Sequence, residues 1–197
     1  MSLFQHSKFS ILIISLVFGI FTSAQVFAKD DPSESCASAA ELFSEGDIEG
    51  ALEEARWCVT QLEQLKKNET SAYFKDEIDG YEGGKLNSQQ AMGITVIERS
   101  YSKGSEMINV SLTGGSSGGL NSAFAAMAAM GMQAAQGEKV RIQRRSALVT
   151  DEGDSTSVVV TLKSGGMLTF ESSEVSNDDL VAFAKEFPVA DLDDSIN

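Results

Sequence analysis

Cys36 and Cys58 are the only two cysteines in 197 residues, and the stretch between them reads as two helices joined by a turn. Ala40, Leu42 and Phe43 mark the apolar side of the first helix. Leu52, Ala55, Val59, Leu62 and Leu65 recur at steps of three and four along the second. Between them, Gly46 supplies a helix stop and Asp47 an N-cap. Residue 47 is also the midpoint of the two cysteines. Antiparallel helices rising about 1.5 Å per residue carry both thiols to the same height above the bend. A disulfide there needs no distortion, and on the chain-entropy model it adds about 3 kcal/mol. The competing uses of a cysteine pair are redox chemistry and metal binding. Both want a C-x-x-C spacing, a histidine or a third thiol, and the chain offers none of these beside the pair.

An oxidising compartment is what such a bridge requires, and the amino terminus supplies a route to one. Lys8 closes a short polar start, residues 9–21 are apolar apart from Ser10, Ser15 and Gly19, and Val26-Phe27-Ala28 ends in the small residue a signal peptidase needs. Residues 1–28 are therefore expected to be a signal peptide cleaved after Ala28. The expected destination is the periplasm in a Gram-negative host and the exterior in any other. Cleavage leaves 169 residues and no transmembrane anchor. It also removes His6, the one histidine of the chain. Without an imidazole, Ser-His-Asp and Cys-His catalysis and histidine metal sites are unavailable. The same cut removes Lys8 and no acid, so the net charge of −14 becomes −15. A surface this negative repels phosphate backbones and anionic lipid, and no nucleic-acid partner is expected.

The segment Gly46-Asp47-Ile48-Glu49-Gly50-Ala51-Leu52-Glu53-Glu54-Ala55 resembles the middle of a tetratricopeptide repeat. The matching features are the small residue opening the second helix and the alanine four positions later. The resemblance spans residues 36–62, about one repeat, with Gly50 in place of a larger residue. It implies protein–protein contact, but no second copy follows, so no superhelical groove is implied. A lone helix pair must pack on something, and Trp57 is the candidate seam.

Residues 33–79 are thus expected to be a disulfide-stapled hairpin. Gly80, Gly83, Gly84 and the polar residues after them read as a linker over 80–92. From there the hydrophobic period changes from helical to alternating. Strands are expected over 94–101, 107–113, 139–150, 157–163 and 167–171. A last helix opens at Ser176, with Asp179 at the capping-box position, buries Leu180, Phe183, Ala184 and Phe187, and stops at Pro188. The fold class is α+β. An N-terminal αα-hairpin precedes an antiparallel sheet of about five strands with two helices on one face, over residues 93–188. Residues 189–197 read as a frayed acidic tail.

Two stretches stand out as candidate contact sites. Phe124, Met127, Met130 and Met132, set among alanines over 120–136, leave no polar face for two turns. Such a helix is either fully buried or a soft apolar surface for a protein partner or, as the alternative, a hydrophobic ligand. The second stretch is Lys139, Arg141, Arg144 and Arg145. On one long strand, Lys139, Arg141 and Arg145 share a face, a strip for an anion or for docking onto Glu41, Glu45, Glu49 and Glu53. The glycines before 120 lack the lysine and spacing of a phosphate loop. Ser100-Tyr101-Ser102-Lys103 matches S-x-x-K but stands at a strand end rather than opening a helix, as the serine acyl-enzymes require. The acidic turns around Asp151 and Asp193 lack EF-hand spacing. No catalytic residue, metal or cofactor is expected; the chain reads as an exported, non-enzymatic contact protein. Amino-terminal sequencing of the exported product is expected to begin Lys29-Asp30-Asp31-Pro32, and a retained Met1 contradicts this reading.

Overall fold

A computed structural model describes residues 31–91, 94–115 and 137–196. The signal segment and the Ala/Met-rich stretch bearing Phe124, Met127, Met130 and Met132 lie outside the described residues. Helices α1 (Pro32–Glu45) and α2 (Ile48–Ser71) form the expected hairpin. Gly46 takes a left-handed φ of 87°, and Asp47 caps α2 by accepting a hydrogen bond from the Gly50 amide.

Beyond the hairpin the chain is larger in sheet than its sequence suggests. Among the described residues there are nine antiparallel strands: β1 (Glu77–Ile78), β2 (Tyr81–Gly83), β3 (Asn87–Ala91), β4 (Ile94–Lys103), β5 (Glu106–Gly115), β6 (Glu138–Ile142), β7 (Arg145–Asp151), β8 (Thr156–Thr161) and β9 (Met167–Ser172). They run in the order β1-β2-β4-β5-β9-β8-β7-β6, with β3 beside β4. The expected linker over 80–92 therefore carries β2 and β3, and Pro32–Asn197 is one compact unit. Asp79 and Gly80, both at positive φ, are the hairpin dipeptide that turns β1 into β2. The expected third strand over 139–150 is likewise two strands. Its turn, Gln143-Arg144, adopts left-handed φ values of 46° and 67° without a glycine or asparagine to announce it.

One face of the sheet is sealed. Aligned across the strands, Val110, Phe170, Val158 and Val149 make one buried row, and Leu112, Leu168, Val160 and Ala147 the next. Over these rows lies α3 (Asn177–Glu186), started by Ser176, whose hydroxyl accepts from the Asp179 amide and donates to the Asp179 carboxylate. Phe183 sits edge-on to Tyr81, Tyr101 and Phe170 at 5.3–6.1 Å. Phe187 does the same to Phe74 and Phe170 at 5.4 and 5.5 Å. Arg99 on β4 holds the β1–β2 excursion in place. It donates to the carbonyls of Phe74, Gly83 and Gly84 and to the Asp76 carboxylate. A Cβ at Gly83 would stand 2.5 Å from the Arg99 Nε, so only glycine permits this approach.

Residues 189–196, expected as part of a frayed tail, are helical. Pro188 ends α3 and opens α4 (Val189–Ile196), which buries Val189 and Leu192 and also buries Asp193 completely. Asp193 accepts from Arg145 Nε at 2.7 Å and from the backbone amides of Lys163 and Ser164 at 3.0 and 2.9 Å. Arg145, itself 4% exposed, also pairs with Asp194 at 2.5 Å and donates to the Ala190 carbonyl. The strained Gln143 completes the clasp. Its side chain donates to the Lys185 and Phe187 carbonyls and accepts from the Ala190 amide.

Burial alone would raise the Asp193 pKa, but the Ser164 and Lys163 amides and the Arg145 guanidinium outweigh it and hold the carboxyl below its ordinary value. A depressed folded-state pKa gives stability that is present above the unfolded value of about 4 and lost as pH falls through the folded one. Asp193→Asn is expected to cost about 3–5 kcal/mol at neutral pH, because it leaves Arg145 uncompensated. Urea denaturation checks this, and the gap between variant and wild type should narrow below about pH 4.

Candidate functional site

The hairpin is joined to itself by a narrow seam of small residues. Cys36 and Cys58 are bridged, with Cα atoms 5.0 Å apart. The Ser35 hydroxyl donates to the Gln61 side chain at 2.5 Å, and nearer the turn Ala51 is buried. A Cβ on Gly50 would meet Leu42 at 3.3 Å and the Asp47 carboxylate closer still. The larger apolar residues expected to fill this seam do not. Ile48, Leu52, Val59 and Leu62 are about half exposed, as is Trp57, and Phe43 is more so. The spacing of Ile48, Leu52, Val59 and Leu62 places these four on one face of α2. Trp57 points elsewhere and is exposed rather than a seam against the sheet.

The physical reason lies in size and in the staple. Two helices drawn together by a disulfide and small side chains have no room between them for a leucine stripe. Helix α2 contacts α4, and its carboxy-terminal residues Glu63, Lys66, Lys67 and Thr70 share a cleft with residues of the sheet. The apolar stripe is therefore left facing outwards. It lies in acidic surroundings: residues 32–65 hold eight acidic residues and one basic, Arg56. Glu41, Glu45, Glu49, Glu53 and Glu63 are all exposed.

Where α2 passes over the sheet it roofs a cleft. Glu63, Lys66, Lys67 and Thr70 line one side, and Ile196 at the end of α4 another. Beneath are Gln90, Thr95, Ile97, Leu112, Gly114, Ser164 and Gly166. The enclosed space amounts to about 70 Å³, and its surface is mostly apolar. Strand register sets which residues line it. Gln90 pairs with Thr95 and Thr95 with Gly114, while a Cβ built on Gly114 would meet only the Gly166 Cα at 3.7 Å. Glycine at 166 allows a close approach to β5, since a Cβ there would stand 3.1 Å from the Thr113 carbonyl oxygen.

The basic residues singled out by sequence are not gathered into one strip. The β6–β7 turn separates them. Lys139 and Arg141 are exposed on β6, Arg144 is exposed in the turn, and Arg145 points into the buried face. Arg145 docks onto Asp193 and Asp194, not onto the hairpin glutamates. Arg141 donates to the Arg144 carbonyl. The S-x-x-K match dissolves in the same way. Ser100 donates to Asn109, while Lys103 donates to the Asp79 carbonyl and sits 5.0 Å from the centre of the Tyr81 ring. Among the described residues no group of three His, Cys, Asp or Glu is arranged to hold a metal, and no helix is long and apolar enough to cross a membrane.

The structure also brings forward residues that sequence reasoning passed over. Gly114 and Gly166 line the cleft, and their cue was a paired glycine in each of two strand-flanking runs. The α4 stripe of Val189, Leu192 and Ile196 had helical spacing but was masked by its acids. Compared with protein-family models, with curated proteins and with solved structures, the chain matches none. The site must accordingly be read from its own geometry. Its staple is directly testable: under denaturant the protein should show no free thiol, and the Cys36→Ser/Cys58→Ser variant is expected to lose about 3 kcal/mol in thermal or urea unfolding.

Proposed function

We propose that this chain is an exported, non-enzymatic protein that works by contact, and that the outward face of α2 is the surface it uses. The observation that carries this reading is the row Ile48, Leu52, Val59 and Leu62, left in water on a hairpin the disulfide already holds rigid. Solvent-exposed apolar side chains aligned over four turns mark an interaction surface rather than a solvated one. A rigid scaffold also loses little conformational freedom on binding, so more of the burial energy reaches the complex. The disulfide is compatible with an oxidising, extracytoplasmic compartment.

Charge selects the partner. A second copy would set eight acids against eight acids across the interface. The complement of this face is an amphipathic helical segment with an apolar stripe and a Lys/Arg rim. Attraction of that kind speeds encounter and weakens with salt.

Site-specific photocrosslinking in the exporting cell tests the proposal. A crosslinker at Val59 is expected to give one defined adduct, whose trapped peptide is basic and amphipathic, and a crosslinker at Glu171 on the opposite sheet face none. Leu52→Glu/Leu62→Glu should abolish the adduct while changing stability by less than about 0.5 kcal/mol per site. Equal adducts at both positions, no adduct, or an adduct made only with a second copy of the chain overturns the proposal.

A further inference from the structure

Between Pro32 and Gln61 the buried residues are Ser35, Ala51 and Cys58. None of them brings a large apolar side chain into the seam of the hairpin. In α1 the one buried residue is Ser35, and Phe43 stands 68% exposed. Among the described elements, α1 packs chiefly on α2. A helix of 14 residues is marginal in water by itself, so α1 depends on that packing. Ala51 and the Ser35–Gln61 hydrogen bond offer little against the backbone entropy of ordering it. Charge works against closure as well, since residues 32–65 carry eight acids and Arg56 is their one base. The covalent bond between Cys36 and Cys58 is what holds the two helices together. The far end of α2 is fastened independently: Thr70 is buried, α2 contacts α4, and Phe74 just beyond it belongs to the core.

We propose that the Cys36–Cys58 bridge is a redox switch for the contact surface on α2, opened by an external dithiol. The proposal rests on the contact role of the Ile48, Leu52, Val59 and Leu62 stripe. The bridge is not itself a redox catalyst; it is the bond on which such a reductant acts. Cys36 is the more exposed of the two partners, so the fold does not wall the bond off. A thiolate of the dithiol attacks one bridge sulfur, and the S–S bond breaks as a mixed disulfide forms. The second thiol of the reductant then displaces the protein sulfur. Cys36 and Cys58 end as two thiols, having taken two electrons and two protons, and the reductant leaves as its own disulfide. With the bond gone, α1 separates and the amino-terminal half of α2 frays back towards its anchored end. Ile48 and Leu52 then lose their alignment with Val59 and Leu62. A surface assembled a tenth of the time binds about tenfold more weakly, so reduction turns contact off.

Amide hydrogen exchange on the mature protein, before and after dithiothreitol under native conditions, is the test, joined to the Val59 photocrosslink. In the reduced protein, amides of residues 36–57 are expected to lose their protection while those of β5, β8 and β9 keep theirs. Cys36→Ser/Cys58→Ser should show the reduced pattern without any reductant. Its Val59 adduct should fall about tenfold or more below that of the bridged protein. Unchanged protection over residues 36–57 overturns the inference, as does protection lost equally across the sheet. A bridge that yields to dithiothreitol only under denaturant overturns it too, and so does an undiminished adduct in the double variant. An adduct missing even from the bridged protein overturns the contact role, and with it the effect of the switch on binding. The exchange pattern separates that failure from a hairpin that never opens.

Discussion

A buried ion pair, Arg145 with Asp193, holds the far end of this molecule together. Both partners are almost wholly removed from water, and each finds further hydrogen bonds: Asp193 from two backbone amides, Arg145 to two backbone carbonyls and to Asp194. Desolvating two charges is costly, and such a pair survives only where geometry satisfies nearly every donor and acceptor. Here the requirement reaches into three elements at once. The β6–β7 turn must be left-handed to aim Arg145 and Gln143, the β8–β9 loop must present two amides, and α4 must return to the sheet to deliver the carboxylate. The strain of two non-glycine residues at positive φ is held by the same contacts.

That clasp decides what the rest of the surface can be. With α4 pinned, Ile196 lines the cleft beside α2, and Phe183 and Phe187 pack edge-on against Tyr81 and Phe170. The aromatic core supplies the non-directional part of the stability, while Arg99 and Arg145 fix which excursions of the chain lie against it. The amino-terminal hairpin draws its rigidity from a covalent bond instead. Because a disulfide and small residues close it, its larger apolar residues are spared from the interior and become available for contact.

Much of the local architecture was legible from residues alone. The αα-turn at Gly46-Asp47, the pairing of Cys36 with Cys58, the Ser176 cap and four of the five expected strands follow from periodicity and turn chemistry that operate over a few residues. Where local signals conflicted, the reading went astray. Asp79-Gly80 is a hairpin signal, yet the glycines after it read as a linker. Gln143-Arg144 carries no turn signal at all, so two strands looked like one and the basic residues looked like a strip. Acids at 191, 193 and 194 hid the helical spacing of Val189, Leu192 and Ile196.

What the sequence alone determined is therefore the inventory: one staple, an acidic surface, a change of hydrophobic period near residue 94, and no histidine beyond His6. Such properties are sums or short-range patterns and need no fold to be counted. Only the tertiary structure decided that α2 shows its leucines to water, that Arg145 is buried on an aspartate 48 positions away, and that Gly114 lies close to Gly166. Each of those depends on which strands become neighbours. Strand register joins residues distant in the chain through backbone hydrogen bonds that carry no side-chain signature, so a hydrophobic pattern alone does not reveal the partner.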